Sequence, residues 1–190
     1  MPYDLTNKLK IAVTTRALFQ LEEENQIYLE QGRANYEKHQ IENEDKLLVK
    51  GAAFSLVQAL LSINSIEAVK DRVEVILVTR NNANTSLRVF NSIENYGLNI
   101  TRGVFTGGGE LVPYLSALDI DLFLTANSKD AQAAIDANIP AATLLTENIP
   151  VYEAGVANQI RIAFDGDAVL FSEESELIYK KSGLEEFKNN

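Results

Sequence analysis

The chain has 190 residues, 46% of them hydrophobic, a formal net charge of −10, no cysteine and one histidine. That length predicts one domain, or one and a fraction, with enough apolar residues for a real core. The acidic balance and the lack of a basic run argue against nucleic-acid or anionic-membrane binding, which need clustered Lys and Arg, but leave room for one small anion held by a metal. Without cysteine there is no disulfide framework and no thiol or Cys-based zinc chemistry, and a single histidine disfavours a His-rich metal site or a Ser-His-Asp triad. No apolar run approaches membrane-spanning length, and the first residues, Met-Pro-Tyr-Asp-Leu-Thr-Asn, lack the basic-then-apolar layout of a signal peptide. A cytoplasmic location is the expectation.

In chain order, Leu9 to Val13 reads as a strand ending in Thr14-Thr15-Arg16. Gln20 to Gln40, rich in Glu and Gln, reads as a largely solvated helix with Glu22, Glu23 and Glu24 as its acidic first turn. Within it His39 reads as exposed, and Tyr28 and Tyr36 either pack at the core edge or stack on a base, as does Tyr179 near the end of the chain. Gly51 to Asn64 carries an amphipathic face of Ala53, Phe54, Val57, Leu60 and Leu61. Val73 to Val78 is a β-branched strand ending in Thr79-Arg80-Asn81-Asn82. Ser86 to Tyr96 is a helix with Gly97 as its stop. Ile100 to Phe105 is a strand closed by Thr106-Gly107-Gly108-Gly109, a turn that would also let backbone approach a phosphate. Leu111 to Leu118 is a short helix, Leu122 to Leu124 a strand, Ser128 to Ala137 a helix started by Asp130, and Ala142 to Leu145 a strand. Strands alternating with helices predict an α/β fold, a three-layer sandwich around a mostly parallel sheet.

Beyond these, Ile162 to Phe164 reads as another buried strand, and it ends in Asp165-Gly166-Asp167. Open α/β sheets place their ligands at such strand ends, and the central glycine lets the backbone turn. One carboxylate of the pair can attack as a nucleophile or hold a divalent cation while the other moves a proton; the bland alternative is an acidic turn. The first and last segments also resemble each other. Ile11-Ala12, Ala17, Leu18-Phe19, Ile27-Tyr28 and Gly32 recur as Ile162-Ala163, Ala168, Leu170-Phe171, Ile178-Tyr179 and Gly183, at an offset of 151 or 152. Thr14-Thr15-Arg16 then stands where Asp165-Gly166-Asp167 stands. Tandem duplication of one α/β unit, with carboxylates lost from the first copy, is one explanation; chance likeness of two strand–helix units is the other.

The string AFDGDAVLFSEESE (163–176) resembles the nucleophile motif of the cytosolic 5'-nucleotidase I family, in the haloacid dehalogenase-like phosphatase superfamily. The segments IAVTTRALFQLEEENQIYLEQG, GAAFSLVQALLSIN, ILVTRNN, RVFNSIENYGLNITR and LFLTANSKDAQAAIDANIPAATL resemble family segments in family order. The resemblance implies a haloacid dehalogenase-like, Rossmann-like core over 1–157, with a helical excursion at about 20–50, and a strand–helix segment over 158–190 that starts a second, truncated copy. It implies Mg²⁺-dependent hydrolysis of nucleoside 5'-monophosphates, with Asp165 as nucleophile, Asp167 as acid/base and both at the metal. Thr79 fits the family's hydroxyl position, and Thr15, Arg16 and Asn81 are expected to contact substrate. The segment Gly109 to Ala117 lacks the family's lysine, whose charge Arg16 or Arg80 could replace, and Thr125-Ala126-Asn127 lacks its carboxylates, with Asp130 close by but read first as the helix-start cap. Three functions stay open: a 5'-nucleotidase, an inactive nucleotide-binding or scaffold portion of a longer or split nucleotidase, and a phosphatase for another small phosphate ester. Self-association through the C-terminal strand is a further expectation.

Overall fold

Three apolar, β-branched runs build the centre of the sheet. Lys10–Thr14 and all of Val73–Thr79 are buried, which only a strand covered on both faces can be, and Phe123–Thr125 behaves likewise. In the computed structural model, which describes residues 4–146 together with Ala163, Leu177, Lys180 and Lys181, the strands are β1 (Leu9–Thr14), β2 (Val73–Thr79), β3 (Arg102–Phe105), β4 (Leu122–Thr125) and β5 (Ala141–Thr143). They form a five-stranded, wholly parallel sheet in the order β3-β2-β1-β4-β5. The chain divides into two units, Met1–Gln159 and Ile160–Asn190, and the fold described here is that of the first.

Strands β1 to β4 are each followed by helix: α1 (Thr15–Leu18) and α2 (Glu22–Glu42) after β1, then α3 (Phe54–Ser62), α4 (Leu87–Asn95) after β2, α5 (Val112–Ala117) after β3 and α6 (Ser128–Asp136) after β4. On one face of the sheet Ala12, Ile76, Val78 and Phe123 pack with Leu115 of α5 and Ala134 of α6. The alternate set, Ile11, Val13, Val75, Leu77 and Leu124, is as fully buried. Both faces are therefore covered, giving a three-layer α/β sandwich with the haloacid dehalogenase-like, Rossmann-type arrangement.

Helix ends are set by one repeated device. After α4 the Gly97 N–H donates to Glu94 O and the Leu98 N–H to Ile93 O, with Gly97 at φ +67°. The left-handed residue lets the chain fold back on orphan carbonyls while Leu98 seals against the core. The same two bonds recur after α5 around Asp119 and after α6 around Asn138, each followed by a buried isoleucine, Ile120 or Ile139.

The excursion holding α2 leaves and returns at one place. Gln20 N–H donates to Val49 O, Gly51 N–H to Leu18 O and Ala53 N–H to Ala17 O, all at 2.8–2.9 Å. Gly51 is required there, because a Cβ would lie 2.8 Å from main-chain atoms of Ala17, Leu18 and Phe19. Phe19, Phe54 and Tyr96 cluster beside this crossing, with ring centroids 5.2–6.2 Å apart.

Candidate functional site

The order β3-β2-β1-β4-β5 reverses direction between β1 and β4, the switch point where such sheets leave a crevice beyond their C-terminal ends. At that place β1, β2 and β4 end in threonine: Thr14, Thr79 and Thr125, all buried. Thr79 Oγ1 accepts the Asn81 N–H and Thr125 Oγ1 accepts the Asn127 N–H, each at 3.1 Å. The hydroxyls thus bend the chain out of its strand, and each keeps its own hydrogen to donate. Thr14 Oγ1 lies 3.5 Å from Thr125 Oγ1.

These strand ends floor a cavity of about 360 Å³ roofed by α2. Its lining brings together Thr15, Arg16, Thr79 and Asn81, so the described candidates from sequence share one crevice. Asp165 and Asp167, like Tyr179, lie outside the described residues. Gly107 and Gly108 also line the cavity; their positive φ values, 61° and 103°, make the turn, which Thr106 Oγ1 closes by donating to Gly109 O at 2.9 Å.

The roof is fastened by contacts across long stretches of chain. The Tyr36 hydroxyl donates to Asn81 Oδ1 and accepts from Gln40 Nε2, both at 3.1 Å. Burial pushes that hydroxyl above the ordinary tyrosine range, opposed by those two hydrogen bonds. Asn82 Nδ2 donates to Glu37 Oε1 at 3.0 Å. Beneath α2, the guanidinium of Arg88 on α4 donates to Glu24 Oε1 at 2.6 Å and to Lys46 O at 2.8 Å. Glu24 is therefore half of a buried ion pair rather than one more residue of a solvated acidic turn. His39, expected to be exposed, is half-buried with Nε2 3.9 Å from Glu24 Oε1. Helix α2 itself is broken at Gly32, whose φ of 80° and ψ of 177° are not helical.

Asp130 does not start α6. The N-cap is Asn127, whose side chain accepts the Lys129 N–H at 2.9 Å, and Asp130 instead pairs with Arg80 at 2.7 Å. The third acidic group on the cavity wall, Glu37, accepts from Arg33 at 2.7 Å. Every carboxylate of the wall is thus engaged by a guanidinium. Arg16 is the loosest cation there, its Nη2 3.7 Å from Glu22 Oε1. Among the described residues its Nε is the buried side-chain polar atom left without a hydrogen-bond partner, which costs about 1–3 kcal/mol.

Magnesium prefers oxygen ligands that include one or two convergent carboxylates. No group of three or more His, Cys, Asp or Glu side chains converges among the described residues, and the strand ends offer neutral hydroxyls. Glu24, Glu37 and Asp130 on its wall are each paired with an arginine, so the described crevice offers Mg²⁺ no free carboxylate. Sequence reasoning foresaw its strand-end residues; it missed the Arg88–Glu24 and Arg80–Asp130 pairs, which link residues 64 and 50 positions apart. No described helix is long and apolar enough to cross a membrane.

The family model described as 5'-nucleotidase matches residues 1–190. A cytosolic 5'-nucleotidase 1B from Homo sapiens is 37% identical over 186 residues, covering 95% of this chain and 30% of the relative, so the chain spans under a third of that relative's length. Match and identity together place the sequence: the chain belongs to the 5'-nucleotidase family.

Proposed function

We propose that this chain serves Mg²⁺-dependent hydrolysis of nucleoside 5'-monophosphates to nucleoside and phosphate, in the cytoplasm. The observation that carries this reading is the family match along the whole chain, which takes in the Asp165-Gly166-Asp167 motif. The relative's printed name, a cytosolic 5'-nucleotidase, supports the same reaction class. In this reading the Asp165 carboxylate attacks phosphorus and forms an aspartyl-phosphate as the P–O5' bond breaks. Asp167 protonates the departing 5'-oxygen, then takes a proton from the water that hydrolyses the acyl phosphate. Two hard carboxylates suit Mg²⁺, which when bound would neutralise charge on the phosphoryl oxygens. Thr79, Thr15, Arg16 and Asn81, which line the crevice of the first unit, are the candidates there for contacting a phosphate ester.

A second reading has a specific observation in its favour. The described crevice ends in threonines with no convergent carboxylate, which suits a unit that binds a nucleotide without reacting with it. Phosphate release from AMP and IMP with Mg²⁺, measured for this chain and for Asp165→Asn, separates the two. Release by the wild-type chain that vanishes in Asp165→Asn is expected. Release that survives the substitution removes Asp165 from the mechanism, and no release from a folded wild-type chain leaves the binding reading.

A further inference from the structure

We propose that the crevice under α2 binds a nucleoside monophosphate through protein groups alone, phosphate on Arg16 and the threonine hydroxyls and base on Tyr28, with no divalent cation. The inference rests on the nucleotide reading above and adds a pose and cation independence to it.

The anion end follows from donors and charges. Phosphate oxygens only accept hydrogen bonds, and Thr79 and Thr125, already accepting from main chain, have hydrogens left to give. Arg16 contributes a buried Nε without a partner, and among the described residues the carboxylate paired with it is 3.7 Å away on Glu22, which is not part of the cavity wall. The wall's own carboxylates do not repel a phosphate strongly, since Glu24, Glu37 and Asp130 are each tied to an arginine at 2.6–2.7 Å. For the same reason they do not gather a cation.

The base end follows from the aromatic pair. Tyr28 lines the cavity and is half exposed, edge-on to Tyr36 at 5.9 Å and 87°. Tyr36 is fixed by Asn81 and Gln40, so the pair offers a supported ring surface for stacking. A cavity of about 360 Å³ is of a size for a small organic phosphate. Inorganic phosphate or a sugar phosphate would use the anion end alone.

The test is calorimetric titration of the 190-residue chain with AMP, adenosine, ribose 5-phosphate and inorganic phosphate in EDTA, with Asp165→Asn titrated in Mg²⁺. The wild-type chain in EDTA and Asp165→Asn in Mg²⁺ are expected to bind AMP with the same Kd, tighter than any of the part-ligands. Arg16→Ala is expected to raise Kd about tenfold and Arg16→Lys to recover part of that. Tyr28→Ala is expected to raise it about fivefold while Tyr28→Phe holds it. Loss of AMP binding in EDTA, loss in Asp165→Asn, equal Kd for Arg16→Ala, or no AMP binding by a chain whose circular dichroism is native would each overturn the proposal. Phosphate release keeps the two readings apart. A chain that hydrolyses AMP with Mg²⁺ but loses it in EDTA refutes only this inference. One that binds AMP in EDTA and releases no phosphate refutes only the hydrolytic reading.

Discussion

Replacing Arg88 by methionine tests how α2 is held over the strand ends. One guanidinium on α4 reaches both sides of the Gly32 break: Glu24 Oε1 at 2.6 Å before it and Gln40 Oε1 at 3.5 Å after it, with Lys46 O at 2.8 Å beyond the helix. Methionine keeps much of the stem's volume and removes every donor. Glu24, whose side chain is 7% exposed, would then be a buried carboxylate whose remaining ion-pair partner among the described residues is His39, at 3.9 Å. Breaking a buried ion pair from one side costs about 3–5 kcal/mol, because the remaining charge is still desolvated. The Lys46 carbonyl loses a partner as well, worth about 1 kcal/mol. A domain holds about 5–15 kcal/mol in total, so Arg88→Met should remove a large fraction of the stability. Removing both charges, in Glu24→Leu with Arg88→Met, leaves no orphaned charge and should be more stable than Arg88→Met alone by about 2 kcal/mol. Urea unfolding followed by circular dichroism, with the slope m compared between variants, measures Glu24→Leu, Arg88→Met and the double variant. A cost below about 1 kcal/mol for Arg88→Met, or a double variant costing the sum of the singles, would mean the pair behaves like a surface one and does not clamp α2.

Gly51→Ala should cost about 2–3 kcal/mol, since its Cβ meets main-chain atoms at 2.8 Å that no rotamer change can move; an unchanged melting temperature would contradict this. Tyr36 has a raised folded pKa, so its contribution is complete below the unfolded value, about 10, and is lost as pH rises through the folded one. The stability difference between wild type and Tyr36→Phe should therefore shrink above about pH 10; a difference that grows there would reverse the sign of the argument. Thr15→Ala should raise the Kd for AMP in EDTA about fivefold, as for one lost hydrogen bond to the ester. An unchanged Kd in calorimetric titration would take that hydroxyl out of the binding crevice.

The strands most readable in the sequence are those the fold buries on both faces. Val73 to Val78 and Leu9 to Val13 announce themselves as unbroken apolar runs, and each proves one residue longer because the closing threonine hydroxyl still belongs to the strand. The edges are less legible. β3 begins at Arg102 rather than Ile100, and β5 is Ala141–Thr143 rather than 142–145, because an edge strand is half-buried and needs no apolar run. Gly97 marks its helix stop by composition, whereas Asp119 makes the same turn with a residue that carries no such signal. The floor of the crevice was readable because strand ends are local. Its roof was not: Tyr36 meets Asn81 and Glu37 meets Asn82, pairings 45 residues apart that depend on where α2 lies over the sheet.

Read as a tandem duplication, the internal likeness of the sequence would give the crevice a meaning. Thr14-Thr15-Arg16 carries a charge of +1 and Asp165-Gly166-Asp167 a charge of −2, at positions that the likeness matches. A phosphate monoester carries about −1.5 to −2 near neutrality. It can meet the first motif directly, through a guanidinium and hydroxyls, and can meet the second only across a cation. On that reading the two motifs would be opposite electrostatic answers to one ligand, and the absence of carboxylates from the first motif would be what direct binding requires. If so, reversing the sign at residue 16 should do more than deleting it. Arg16→Glu adds a carboxylate beside Glu22, so in EDTA it should weaken AMP at least tenfold beyond Arg16→Ala through like-charge repulsion. Equal affinities for the two variants would mean that charge at this strand end does not face the phosphate.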